Sequence, residues 1–154
     1  MAILFTKKQL EELKKIILRT EKDLKKALIK KGEVATDSAG DGWHSAEFMS
    51  AYVEEVGVRK RLSELKRLAV QAKIIEPEGK TEKVDIGNKV LIEYEDGSKE
   101  KIVLEGYLVK PKDGLASIYS PLGRVLKGAK ERQTKTFKVE GKKKRIKILK
   151  IFLP

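Results

Sequence analysis

Apolar residues return every three or four positions along two stretches of the chain. The first stretch carries Leu10, Leu13, Ile17, Leu24 and Ala27; the second carries Phe48, Ala51, Val58, Leu62, Leu65, Ala69 and Ala72. Each stripe is the buried face of an amphipathic helix, and two stripes joined by one loop make the seam of an antiparallel coiled-coil hairpin. The first helix is predicted over residues 6–31, with Thr6 as N-cap and Gln9 as its capping-box partner. It stops at Gly32 or runs on through Val34 and Ala35. The second helix is predicted from Ser45 to about Ile75. Between them, the segment from Thr36 to Gly42 is dense in turn and cap formers, so residues 32–45 form the tip loop. A helix of about 25 residues is on the order of 40 Å long, and such a hairpin has almost no pocket of its own. It is suited to carrying a chemical group at its tip into another molecule.

The period changes to two after Glu76-Pro77-Glu78-Gly79-Lys80, which reads as a linker. Strands are predicted over Val90–Tyr94 and Glu100–Leu104, joined by a turn at Glu95-Asp96-Gly97-Ser98. A third strand is predicted over Gly106–Val109 and a short one over Ala116–Tyr119. Ser120–Gly128 reads as a loop opening a short helix with Pro121 in its first turn. Lys135–Val139 and Arg145–Phe152 form a last hairpin around Gly141. The fold class expected is therefore α+β. A coiled-coil hairpin (residues 1–76) leads through a linker (77–83) to a small, mainly antiparallel sheet domain (84–154).

Charge narrows the choice of partner. The chain has 154 residues and a formal net charge of +12, with 38% charged residues. Such an excess favours a polyanion or an acidic surface. The densest run is Lys142-Lys143-Lys144-Arg145, followed by Lys147 and Lys150. A charge run is ordinarily a solvated face, here a hairpin and an edge strand blunted by lysine; contact with nucleic acid is the alternative. There is no cysteine, which excludes disulfides and thiolate metal sites and allows a reducing compartment. The start, MAILFTKKQL, lacks the apolar core of a secretory signal, and no apolar run approaches the roughly 18 residues of a membrane span. A soluble, cytoplasmic, monomeric protein without a membrane partner is expected.

Three stretches resemble one known family. Gly40-Asp41-Gly42-Trp43-His44-Ser45-Ala46-Glu47-Phe48 is similar to a tip that usually reads GDLxENAEY. Arg61-Leu62-x-x-Leu65, ending in Ala72-Lys73-Ile74-Ile75, is similar to the end of the family's second helix. Ser120-Pro121-Leu122-Gly123-Arg124-Val125-Leu126-Lys127-Gly128 resembles SPxxRALxG. These are the marks of the bacterial Gre transcript cleavage factors (GreA/GreB), and the resemblance covers nearly the whole chain. It implies a coiled-coil hairpin followed by an FKBP-like domain. That domain would dock on RNA polymerase beside the secondary channel, with Ser120, Pro121 and Arg124 as candidate contacts. The hairpin would enter the channel, and acids at its tip would help hold a Mg²⁺ shared with the polymerase. The polymerase would then hydrolyse backtracked RNA. The factor would be no enzyme itself and would bind no cofactor tightly. Hydrolysis with two metals needs a cation to generate hydroxide, and Mg²⁺ takes only one or two carboxylates beside phosphate and water.

The tip departs from the family pattern. The first of two acids is kept as Asp41, but the second falls on His44. Imidazole is a poor ligand for an ion that demands oxygen. Asp37, one helical turn before Asp41, is a candidate replacement. Trp43 is a candidate to stack on an RNA base near the 3′ end, or else to cap the helix ends. By resemblance, the basic strip Arg59, Lys60, Arg61 is a candidate nucleic-acid contact. An FKBP-like fold also suggests prolyl isomerase chemistry. That chemistry needs an aromatic-lined pocket, and the chain is only 6% aromatic, so it is discounted. Three functions are left: a cleavage-stimulating elongation factor; a secondary-channel regulator that does not support cleavage because of His44; and a basic RNA- or DNA-binding protein unrelated to polymerase.

Overall fold

The computed structural model describes residues 1–37 and 46–154, with the side chains of Thr36 and Asp37 outside the description. The fold is α+β, as the patterning predicts. In order, the elements are β1 (Ile3–Phe5), α1 (Lys7–Asp37), α2 (Ala46–Gln71), β2 (Ala72–Ile74), β3 (Lys89–Tyr94), β4 (Lys99–Glu105), β5 (Leu115–Ser117), α3 (Pro121–Leu126), β6 (Thr134–Val139) and β7 (Lys142–Phe152). Two compact units result: Glu11–Gln71, and Met1–Leu10 together with Ala72–Pro154. Among the described residues no helix is long and apolar enough to cross a membrane.

The helical unit is an antiparallel hairpin whose order is fixed by charge pairs across it. Lys66 reaches Glu21 at 3.3 Å, Lys30 reaches Glu54 at 3.2 Å, and Lys31 reaches Glu55 at 3.5 Å. The first two pairs are solvent-exposed and add little stability. Burial along the seam does most of the work. Leu13, Ile16, Thr20 and Ala27 are buried on α1, against Phe48, Ala51, Leu62 and Leu65 on α2. The helix starts as expected at Thr6, whose hydroxyl accepts from the Gln9 amide at 3.3 Å. It extends through Gly32 to Asp37, past residue 31. A glycine inside a helix costs about 1 kcal/mol, and contacts with α2 offset it: Lys31 lies over the Tyr52 ring, and Ala35 lines a groove with Phe48.

The second helix ends at Gln71, short of Ile75. Ala72–Ile74 instead form β2, paired in parallel with β1 in the register Ile3 to Ala72 and Phe5 to Ile74, and the Ile75 amide donates to the Phe5 carbonyl at 2.9 Å. Neither strand is visible in the local pattern, because a three-residue strand has too few positions to show a period. β1 is also stitched to the larger sheet. The Tyr107 amide donates to the Leu4 carbonyl at 2.7 Å, and Thr6 Oγ1 donates to Glu105 Oε2 at 2.8 Å in a buried setting. This stitching corrects the expected strand at Gly106–Val109. That segment leaves the ladder after Glu105 to run against β1, and it has no strand pairing of its own.

The larger sheet has the order β5-β4-β3-β7-β6. All its pairings are antiparallel except β4 with β5, which is parallel. Val90, Ile92, Ile102, Leu104, Phe137, Ile146, Ile148 and Ile151 point to one face, where Leu126 of α3 and Ala129 complete the core. The lysine-rich strand β7 lies between β3 and β6 and is not at an edge, contrary to the reading of that run as an edge strand. It pairs with β6 from Lys142 onward because Gly141, at φ 79°, and Glu140, at φ 51°, make a tight left-handed turn.

Candidate functional site

The expected tip residues Asp41, Trp43 and His44 lie outside the described residues, as does the side chain of Asp37. The described backbone brings α1 as far as Asp37 and starts α2 at Ala46, with Glu47 in its first turn. An acid there complements the partial positive charge of a helix N-terminus.

The basic strip on α2 can be built from its surroundings. Phe48, Ala51, Glu55, Val58, Leu62 and Leu65 follow one another at alternating steps of three and four, so Glu55 occupies a core position of the heptad. It is 4% exposed. Its carboxylate accepts from Arg59 Nε at 3.2 Å and Nη2 at 2.5 Å, and Lys31 approaches from α1 at 3.5 Å. The Arg59 hydrogen bond outweighs burial, and with the Lys31 charge it holds the Glu55 carboxyl below the usual carboxylate range. Arg59 is thus partly committed within the hairpin. Lys60 and Arg61 are exposed, and no carboxylate lies within ion-pair distance of either among the described residues. A polar residue at a core position lowers stability but selects one register, because only one alignment supplies both Lys31 and Arg59.

This arrangement has a pH signature. A carboxyl with a depressed folded pKa contributes stability that is fully present above its unfolded value, about 4.3, and is lost as pH falls through the folded value. Melting temperature measured from pH 7 to pH 3 should therefore fall less steeply in Glu55→Gln than in the native protein. Equal acid slopes would refute the ion pair's contribution.

The Ser120 segment is built as a helix cap. Ser120 sits at φ −81° and ψ 158°, and its hydroxyl accepts from the Gly123 amide at 3.0 Å while donating to the Ser117 carbonyl at 2.7 Å. Pro121 follows in the first turn, where no amide hydrogen is needed. Ser120 therefore spends its hydroxyl inside the fold, while Pro121 and Arg124 are exposed. The neighbouring Tyr119 hydroxyl accepts from the Leu4 amide at 3.0 Å. Rings of Phe5, Tyr107 and Tyr119 lie in a row, at centroid distances of 5.3 Å and 6.2 Å. The cap, β1 and the Tyr107 segment thus form one corner of the sheet unit. Sequence reasoning missed Glu55, Tyr119 and the Thr6–Glu105 pair. A carboxylate at a heptad core position was the available signal for the first; the others join residues far apart in the chain.

Two further features bear on chemistry. The groove beside the linker is lined by Glu78, Lys80, Glu82, Lys83, Asp85 and Asn88, with no aromatic residue, unlike an aromatic-lined isomerase pocket. Among the described residues no group of three or more His, Asp or Glu side chains converges on a metal position.

Residues 79–152, nearly the whole sheet unit, match the family model described as transcription elongation factor GreA/GreB, C-terminal. The transcription elongation factor GreA of Bacillus velezensis is 31% identical over 145 residues, covering 93% of this chain and 87% of that one. Its counterpart in Bacillus subtilis is 33% identical over 116 residues, covering 74% of each. The crystal structure of GreA factor homolog 1 (Gfh1) of Thermus thermophilus aligns over 99% of both chains, with 20% identity and a TM-score of 0.46. On the sequence kinship, which runs through both the helical hairpin and the sheet unit, the chain belongs to the GreA/GreB family of transcription elongation factors.

Proposed function

We propose that this factor binds RNA polymerase beside the secondary channel and inserts the tip of its hairpin to stimulate cleavage of backtracked RNA. The observation that carries the reading is a helical hairpin whose joining segment contains Gly40-Asp41-Gly42, in a chain of this family. Pro121 and Arg124 are the proposed docking contacts, held in place by Ser120. Lys60 and Arg61 are the freer members of the strip proposed to lie along nucleic acid, and Trp43 is a proposed stacking partner for an RNA base. A magnesium ion shared with the polymerase would supply the charge that generates hydroxide. Asp41 suits that ion as one of the one or two carboxylates it accepts, with Asp37 as the candidate second. His44 adds no hard oxygen donor. The factor would act as a cytoplasmic monomer and a cofactor of the polymerase's own chemistry.

His44 specifically favours a second reading, a channel-binding regulator that blocks or modulates without cleavage. Halted, backtracked elongation complexes separate the two. On the first reading, protein and Mg²⁺ shorten the RNA, and Asp41→Ala slows this at least about tenfold, equivalent to about 1.4 kcal/mol of lost transition-state stabilisation. Polymerase binding without shortening would establish the second reading, and gain of cleavage in His44→Glu would identify the missing carboxylate. A protein that ignores polymerase overturns both.

A further inference from the structure

The solvent-facing side of the larger sheet is a field of positive charge, and its layout follows from the strand registers. Lys101 of β4 and Lys150 of β7 stand on either side of Leu91 of β3. One step along, Lys99 and Lys147 stand on either side of Glu93. Further out, Lys143 faces Lys138 of β6 and Arg145 faces Thr136. Every one of these basic side chains is exposed. Among the described residues the one ion pair on this face joins Arg145 to Glu95, at 3.9 Å near the rim. Two of the ammonium groups are held in place: Lys101 Nζ lies 5.6 Å and Lys150 Nζ 5.0 Å from the centre of the Phe152 ring, a favourable cation–π geometry.

Protection against aggregation does not explain this pattern. Lysine blunts the edges of sheets, yet β4, β3 and β7 are all interior strands here. Stability does not explain it either. Like charges directly opposite one another, as at Lys138 and Lys143, are destabilising. A face that keeps such repulsion is balanced when a polyanion covers it.

The spacing selects the polyanion. The basic columns on β4 and β7 are separated by the single strand β3, hence by about 10 Å, and successive outward residues on one strand are about 6.8 Å apart. Two parallel rows of cations at that separation match the two rows of phosphates that border a groove of double-helical DNA, whose grooves are about 6 Å and 12 Å wide. The strand between carries Leu91 and Glu93, which would sit over the groove, away from the phosphates. A single nucleic-acid strand would use one row and would call for open aromatic platforms. The face offers only Phe152, already covered by two ammonium groups.

We propose that the outer face of β4, β3, β7 and β6 binds the phosphate backbone of double-stranded DNA, without reading its sequence. The test needs no polymerase, so it stands apart from the cleavage reading. Full-length protein is titrated into a fluorescein-labelled DNA duplex of about 20 base pairs, followed by anisotropy over a series of salt concentrations, since removing one phosphate contact lowers the log–log salt slope by about 0.9. The triple variant Lys101→Gln, Lys147→Gln, Lys150→Gln should bind at least tenfold more weakly at low salt, with the slope reduced by about 2 to 3. A charge-matched control on the helical hairpin, Lys14→Gln, Lys22→Gln, Lys25→Gln, should keep the native slope. Thermal melts of both variants should match the native protein, because all six side chains are exposed. The proposal is overturned if the sheet variant keeps native affinity and slope, if the hairpin control loses as much, or if a single strand of equal length outcompetes the duplex. Displacement of the duplex by anionic lipid vesicles at equal charge would also overturn it.

Discussion

Gly123→Ala is expected to lower the melting temperature of the sheet unit by roughly 10–20 °C, from an overpacking cost of about 3 kcal/mol at about 4–8 °C per kcal/mol for a unit of this size. The reason is a close approach of two backbones. A Cβ on Gly123 would overlap the Ser117 carbonyl oxygen and come within 3.0 Å of the Ile118 nitrogen. Main-chain atoms cannot swing aside as a side-chain terminus can. Either α3 lifts from β5 or β5 shifts in its parallel ladder with β4. Lifting α3 breaks the Ser120 cap and withdraws Leu126, which is fully buried. Gly57→Ala is the control. That glycine lies within α2, and the space its new methyl would enter has no other atom within 4 Å, so alanine there should stabilise by up to about 1 kcal/mol. Differential scanning calorimetry checks both signs, and a Gly123→Ala protein that melts like the native one would refute the close packing. Since α3 carries Pro121 and Arg124, the variant should also weaken polymerase binding before any change at Asp41.

Gly106→Ala should detach the first strand from the sheet unit, at a cost of about 2–3 kcal/mol from overlap plus about 1 kcal/mol for a lost hydrogen bond. A Cβ at this position would overlap the Leu4 carbonyl oxygen and approach its carbonyl carbon to 2.9 Å and the Phe5 Cα to 3.1 Å. The backbone angle at Gly106 is not in the left-handed region, so the penalty is purely steric. Separation breaks the Tyr107-to-Leu4 bond, and with it goes the support for β1 against β2. Amide hydrogen exchange gives a local readout. Tyr107 and Ile75, whose amides donate to Leu4 and Phe5, should lose protection, while Ile148 in the central ladder keeps it. Unchanged protection at Tyr107 would sink the prediction.

Most of the architecture was legible where a period had room to repeat. Heptad spacing sustained over several turns marked both helices, and alternation along the strands marked β3, β4 and β7. What was missed depends on partners distant in sequence. Ile3-Leu4-Phe5 and Ala72-Lys73-Ile74 become strands only because each supplies the other's hydrogen bonds. Gly106–Val109 has strand composition, yet it is claimed by β1 before it can pair in the sheet. Glu55 fell between apolar positions seven apart and was passed over because it is charged, although its spacing put it in the core. Of the candidate site, the Ser120-Pro121 start of α3 was legible because capping is local chemistry. The commitment of Ser120's hydroxyl to Ser117 and Gly123 was not. The lysine run was visible at once, but its meaning changed with topology, since an interior strand has no edge to guard.

The carboxylate that Lys31 and Arg59 share inside the hairpin also constrains how such an arm can lengthen over evolutionary time. Seven residues gained in one helix alone would slide that acid against alkyl groups and strand its cationic neighbours. Growth that keeps the acid matched must come in equal instalments on both sides, so descendants of this chain should differ in arm length by paired heptads rather than by single ones.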